Sequence, residues 1–293
     1  MKLEGIITAM VTPFNADQSI NYKATERHID HLISNGVDGL FILGTNGEFH
    51  VLSHKEKLEY ARFVVDYVDH RVPVYVGTGE CGTEETIHFS KAMEAAGADA
   101  FSVITPYLVK VSQAELIDHY TAIADAVSTP IIMYNIPANT GITLEAETVA
   151  ALSQHPNIVG IKDSSGNVEL LSGYCAIETA DFSVLVGSDS KILTGLKLGA
   201  KGAVASTTNA IPKHVVTLYN AFKEGHLEEA ERLQKDIDVL RGVLKLGSVP
   251  SVIKRCVTLL GNDVGDARLP VSPLGQSHDV AILDALRYYG LVD

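Results

Sequence analysis

The chain has 293 residues, of which 46% are hydrophobic and 20% charged, and its 23 basic against 36 acidic side chains leave a formal charge of −13. That is enough apolar chain for a substantial core, in one large domain or two ordinary ones, and it excludes a disordered protein. The acidic balance argues against a nucleic-acid backbone as partner, and no run reaches the roughly 18 uncharged apolar residues of a membrane span.

The N-terminal stretch Met1–Met10 carries Lys2 and Glu4 and has neither a signal-peptide core nor an Arg-rich transit composition. Cys81, Cys175 and Cys256 lie far apart without CxxC spacing. A reducing cytoplasm is the expected home, with no disulfide framework and no zinc cluster.

Strand-length apolar runs alternate with amphipathic segments along the chain. Gly5–Pro13 is the first predicted strand, followed by a helix over Asn21–Ser34. Gly39–Gly44 precedes the helix Ser53–Asp69, Val72–Gly77 precedes Thr83–Ala96, and Ala100–Pro106 precedes Gln113–Ala126. Pro130–Ile136 precedes Leu144–Ser153, and the strands Ile158–Lys162, Phe182–Gly187 and Gly202–Ser206 follow. These strands are rich in Val, Ile and Phe and mostly non-alternating, as strands buried on both faces are. Ser53, Thr83 and Ser112 are the predicted N-caps, and Glu56 completes a capping box with Ser53.

A weak repeat marks the turns from helix to strand: Gly36-Val37-Asp38-Gly39, Gly97-Ala98-Asp99-Ala100 and Gly199-Ala200-Lys201-Gly202. The first glycine of each is expected to take the left-handed conformation that ends a helix. Strand starts recur every 20 to 35 residues or so, about one βα unit each, and about eight units fit before Lys223, the number that closes a barrel. The expected fold is α/β, a (β/α)8 TIM barrel over residues 1–223. Residues 224–293 are expected to pack on it as a C-terminal extension of helices, Leu227–Leu246, Val249–Leu260 and Asp279–Tyr289. A doubly wound sheet is disfavoured, because no GxGxxG or P-loop pattern follows the first strand.

Such barrels carry their active sites at the carboxyl ends of the strands. Those ends hold Thr12, Gly44-Thr45-Asn46-Gly47-Glu48, Gly77-Thr78-Gly79, Thr105-Pro106-Tyr107, Tyr134-Asn135-Ile136-Pro137, Lys162-Asp163-Ser164, Gly187-Ser188-Asp189 and Ser206. No histidine is among them, which argues against a His-rich metal hydrolase. Lys162 is the single lysine, at the end of an apolar strand. It would either mark a strand emerging into water and pair with Asp163, or act as a Schiff-base nucleophile. Burial favours the neutral amine that attacks a ketone, and the resulting iminium is an electron sink for carbon–carbon chemistry. Tyr134 would either pack its ring or shuttle the protons of that chemistry. Gly44–Gly47 reads as an ordinary turn or as a backbone nest for a carboxylate, with the Thr45 hydroxyl adding a donor.

Together, Gly44-Thr45-Asn46-Gly47-Glu48, Tyr134-Asn135-Ile136-Pro137 and Gly160-Ile161-Lys162-Asp163-Ser164 resemble the motifs of the dihydrodipicolinate synthase / N-acetylneuraminate lyase family of class I aldolases. The resemblance covers nearly the whole chain, with the motifs in order and spacing. It implies that Lys162 is the imine-forming lysine of a lyase, that Tyr134 is the catalytic tyrosine, and that Thr45 with the Asn46 backbone holds the pyruvate carboxylate. It places Gly187 and Val204 in the pyruvate pocket. It also implies no metal, no cofactor beyond the lysine imine, small-molecule partners (pyruvate and an aldehyde), and a homo-oligomer, commonly a tetramer.

The departures bear on the substrate. The synthases read Gly-Thr-Thr-Gly-Glu where this chain has Asn46, and they carry an arginine where this chain has Asn139. They also have a second tyrosine where Leu108 follows Tyr107, a residue that reaches into the neighbouring subunit. Against sialate lyase, Gly187-Ser188-Asp189-Ser190 lacks one carboxylate of the Gly-x-Asp-Glu pattern. Asn139, Ser164, Asp189 and Ser206-Thr207 suit a polyhydroxylated substrate, and Gly36–Phe49 with Lys110-Val111-Ser112 is similar to 2-keto-3-deoxy sugar-acid aldolases. The expected reaction is therefore the cleavage or formation of a 2-keto-3-deoxy sugar acid. Behind it stand dihydrodipicolinate synthesis, sialate cleavage and a non-catalytic oxo-acid-binding barrel. A metal-dependent barrel using Glu48, Glu80, Asp163 and Asp189 is a weaker rival.

Overall fold

A computed structural model describes residues 3–293; Met1 and Lys2, part of the N-terminal stretch considered above, lie outside it. Eight parallel strands pair in chain order and close on themselves. They are β1 (Gly5–Ala9), β2 (Gly39–Ile42), β3 (Val74–Gly77), β4 (Ala100–Ile104), β5 (Ile131–Asn135), β6 (Ile158–Asp163), β7 (Ser183–Val186) and β8 (Gly202–Ala205). Around them run α1 (Tyr22–Ser34), α2 (His54–Val68), α3 (Thr83–Glu94), α4 (Gln113–Ala126), α5 (Pro137–Thr140), α6 (Ala146–Leu152), α7 (Val168–Cys175), α8 (Ile192–Leu198) and α9 (Pro212–Lys223). The extension comprises α10 (Leu227–Val243), α11 (Ser251–Leu259) and α12 (Asp279–Tyr288). The expected boundary at residues 223/224 falls in the turn between α9 and α10, and α10 packs along α9.

The strands are buried on both faces, which is why they read as unbroken apolar runs. One set of side chains, including Ile7, Phe41, Tyr75, Ile132, Leu185 and Val204, fills the bore as a small separate core. The alternate set, including Ile6, Ile42, Val76, Met133, Ile161 and Val186, packs outward in the main core. Side chains alternate along a strand, so an inward Ile132 makes Tyr134 inward as well. The register then pairs Ile132 with Gly160 and Tyr134 with Lys162, which sets both polar side chains at the carboxyl end of the bore.

Most of the helix signals hold. Ser53 and Ser112 both cap their helices with full capping boxes, to Glu56 and Glu115. Gly36, Gly97 and Gly199 all take left-handed φ values, 83°, 86° and 113°. Thr83 is not an N-cap: Gly82 holds that position, and the Thr83 hydroxyl meets His119 Nδ1 at 2.8 Å instead. Several predicted strands also overrun. Met10 and Val11 are buried like a strand but lie beyond β1: the Met10 N–H still bonds Phe41 O at 2.9 Å, while the Val11 N–H turns to Asn209 Oδ1 at 3.1 Å. The predicted helix Leu227–Leu246 tightens into a 3₁₀ turn over Leu244–Leu246. Among the described residues, no helix is long and apolar enough to cross a membrane.

Candidate active site

Lys162 ends up enclosed, not emerging into water: it is 4% exposed. Its Nζ lies 4.0 Å from the centre of the Tyr134 ring and 4.5 Å from that of Phe41. Burial pushes the amine below the ordinary lysine value, opposed by Tyr134 and by the charge of Asp189. The pairing with Asp163 does not form. Asp163 instead accepts from Asn135 Nδ2 at 2.8 Å and from the Ser165 hydroxyl and N–H at 2.8 and 3.1 Å. Asn135 in turn accepts from Leu144 N–H at 3.1 Å. These bonds tie the ends of β5 and β6 together and leave the lysine facing the Tyr134 and Phe41 side chains, within the field of Asp189.

The Tyr134 hydroxyl lies 3.4 Å from the Thr45 hydroxyl. Thr45 belongs to a turn bounded by two non-glycine residues with left-handed backbones, Leu43 at φ 55° and Glu48 at φ 57°. Such conformations persist only where the surroundings over-determine them. Here Glu48 accepts from Lys254 Nζ at 2.8 Å and from Arg268 N–H at 2.8 Å, and the Glu48 and Lys254 side chains are each 1% exposed. The Thr12 hydroxyl holds Gly47 O at 2.7 Å. Gly44 rests on the Phe41 ring, where an added Cβ would come within 2.6 Å of a ring carbon. Among the described residues, the Thr45 and Asn46 N–H groups donate to no backbone acceptor. The turn thus presents free donors beside Tyr134, as a carboxylate nest requires.

The opposite side is built by β6, β7 and β8. Gly187 packs so closely on Ser164 that any side chain there would collide with its Oγ, which donates to Gly187 O at 3.2 Å. Val204 lies in the bore core. Asp189 is buried and accepts from the Ser206 and Thr207 N–H groups at 3.2 and 2.7 Å, so its carboxylate fixes the loop leaving β8. Asn46 and Ser206 come together on one cavity at the mouth. Asn139 does not join them; it sits exposed on α5, where its N–H bonds Ile136 O at 3.0 Å.

The four carboxylates of the metal-dependent rival have separate partners. Glu48 is held by Lys254, Glu80 by Lys57 and His54, and Asp163 and Asp189 by the bonds above. Among the described residues no group of three or more His, Cys, Asp or Glu side chains could hold a metal ion. Sequence reasoning missed Phe41, hidden in an apolar strand with no mark of its ring lying under the amine. It also missed Lys254. The available signal was a lysine on the same helix as buried Val252, Ile253, Cys256 and Val257, a charge that needs a partner.

The family model of the dihydrodipicolinate synthetase family matches residues 2–288. A 4-hydroxy-tetrahydrodipicolinate synthase from Geobacter metallireducens is 36% identical over 289 residues, 99% of each chain. The chain superposes on a dihydrodipicolinate synthase from Bacillus anthracis with a TM-score of 0.95 and 33% identity, covering 98% of each. It superposes equally, at 0.95 and 36% identity, on an E. coli prophage protein of the dihydrodipicolinic acid synthase family in complex with pyruvate, covering 99% of this chain and all of that one (100%).

Proposed function

The chain belongs to the dihydrodipicolinate synthetase family, pyruvate-dependent class I aldolases that use a lysine imine and no external cofactor, and we propose that Lys162 carries that imine. The observation behind this is the enclosed amine set 4.0 Å over the Tyr134 ring, with the Thr45 hydroxyl next in line. The neutral Nζ attacks C2 of pyruvate while the pyruvate carboxylate rests on the Thr45 hydroxyl and the N–H groups of Thr45 and Asn46. Tyr134 gives a proton to the hydroxyl that leaves C2 as water. The protonated imine then withdraws electrons, the Tyr134 phenolate left by that transfer takes a C3 proton, and the enamine carbon attacks the aldehyde, whose oxygen takes that proton back from Tyr134 as the new bond forms; water then hydrolyses the imine and frees the product from Lys162. Run backwards, the same steps cleave an aldol to pyruvate and an aldehyde.

For the aldehyde, the relatives support a different ranking from the one expected above. Chains named 4-hydroxy-tetrahydrodipicolinate synthase match this one almost end to end, and we place condensation of pyruvate with aspartate semialdehyde first. Cleavage of a 2-keto-3-deoxy sugar acid is the second reading, favoured by Asn139 standing where the synthases carry arginine. The test compares kcat/KM for both reactions on one preparation. A tenfold advantage of the sugar acid, about 1.4 kcal/mol in transition-state binding, would reverse the order.

We read residues 1–223 as the catalytic barrel and 224–293 as its helical cover. We also read the protein as a cytoplasmic homo-oligomer, a tetramer in the commonest form. Leu108 and Val109 are 92% and 68% exposed, an apolar pair that a second copy would cover, and all three cysteines are free. Sedimentation equilibrium decides the assembly; a monomer at micromolar concentration would refute it.

A further inference from the structure

Where the extension crosses the barrel mouth there is a cavity of about 160 Å³. Its wall includes Asn46 and Ser206 from the barrel loops and Arg241, Lys245, Val252 and Ile253 from the extension. Asn46 adjoins Thr45, whose hydroxyl reaches Tyr134, so the cavity borders the reaction site. Two cations and no carboxylate line it, in a chain with 36 acidic against 23 basic side chains.

Arg241 is the telling residue. Its Nε is buried and has no hydrogen-bond partner. Arg255 and Arg268, also half-buried, are each matched to a carboxylate, Asp279 and Glu56. A buried donor without an acceptor is costly, and protein interiors rarely keep one except where something else fills the role. The guanidinium fork suits a carboxylate or phosphate, which it can bind through two parallel bonds. Lys245, four residues on, adds a second positive charge to the same wall.

We propose that Arg241, assisted by Lys245, recognises an anionic group on the second substrate, a carboxylate or phosphate carried by the aldehyde that meets the pyruvate enamine. This rests on the imine reading above. It supplies a positive charge from α10, and leaves Asn46 and Ser206 to bond hydroxyl or amino groups nearby.

The test uses the intact enzyme with pyruvate and three acceptors: aspartate semialdehyde, glyceraldehyde 3-phosphate and uncharged glyceraldehyde. In Arg241→Gln, kcat/KM for the preferred anionic acceptor should fall about tenfold or more, chiefly through KM, with glyceraldehyde unchanged. Arg241→Lys should recover part of the loss, and borohydride trapping of pyruvate should stay at the wild-type level in both variants, which reports an intact fold. The two anionic acceptors separate carboxylate from phosphate recognition. Equal losses on charged and neutral acceptors, no loss on either anion, or a wild-type enzyme that does not favour an anionic acceptor would each overturn the proposal. Failure of Lys162 to trap pyruvate would sink the imine reading and this proposal with it, whereas normal trapping with no charge-dependent loss in Arg241→Gln overturns this proposal alone.

Discussion

The amine of Lys162 faces the ring of Tyr134 at 4.0 Å, from the residue directly opposite on the neighbouring strand. The ring face favours the charged amine by about 0.5 to 2 kcal/mol, and burial opposes it. Burial wins, since the amine is displaced downward. Borohydride reduction in the presence of pyruvate should therefore add a stable mass to the peptide containing Lys162 and inactivate the enzyme. Lys162→Arg should abolish the label, because a guanidinium stays protonated. Label on another lysine would sink the assignment.

Tyr134 is tested separately from its packing. Tyr134→Phe keeps the ring against Phe41, and so the fold, but removes the hydroxyl that meets Thr45. Turnover should drop by roughly 10²- to 10⁴-fold, the range of a positioned acid–base group. Thermal melting should barely move. A wild-type rate would leave Tyr134 as a packing residue only.

The buried pair Glu48–Lys254 should behave as a unit. Lys254→Met strands the Glu48 charge and should cost about 3 to 5 kcal/mol in urea unfolding. Adding Glu48→Gln should restore much of it, and the sum of the two single losses should exceed the double loss. Because Glu48 anchors the turn with Thr45 and Asn46, Lys254→Met should also raise KM for pyruvate. Additive losses with an unchanged KM would show that the pair supports neither.

Stability should fall in acid through two histidines. Burial holds His28 and His119 at about 4, against an ordinary value of 6.5. Above pH 6.5 neither the folded nor the unfolded chain protonates them, and they add no pH dependence. Between pH 6.5 and 4 the unfolded chain takes up the protons that the fold refuses, so stability drops, by on the order of 3 kcal/mol per histidine at pH 4. Urea midpoints at pH 7.5 and 5 measure this. His119→Gln should shrink the difference, and a difference untouched by that change would count against the assignment.

Much of this molecule can be read from its residues. The eight units, the two capping serines and the left-handed glycines follow from local chemistry, which does not depend on what the chain later packs against. Lys162 and Tyr134 stand out as polar residues ending buried strands, though the residues alone left each a structural alternative, a strand emerging into water or a packed ring. What local pattern cannot give is pairing at long range. Asp189 looked like a group for sugar hydroxyls, yet its oxygens hold the backbone of Ser206 and Thr207. Asn139 looked like a pocket residue by alignment with a motif, yet it stands on the exposed side of a short helix. Arg241 carried no signal at all, since only the fold shows which arginines have a carboxylate opposite.

The seam between β1 and β8 sets an order of assembly. Gly5 pairs with Gly202, so during synthesis the first strand waits with one edge open until nearly 200 further residues have been made. At about 5 to 20 residues per second that wait is on the order of 10 to 40 seconds, long enough for an open edge to matter to a crowded ribosome. The bond from Lys254 to Glu48 comes later still, spanning 206 positions. All eight strands and Lys162 precede the Lys254 that secures the turn beside Thr45 and Asn46. A helix made late, α11, is the one that secures the loop after β2.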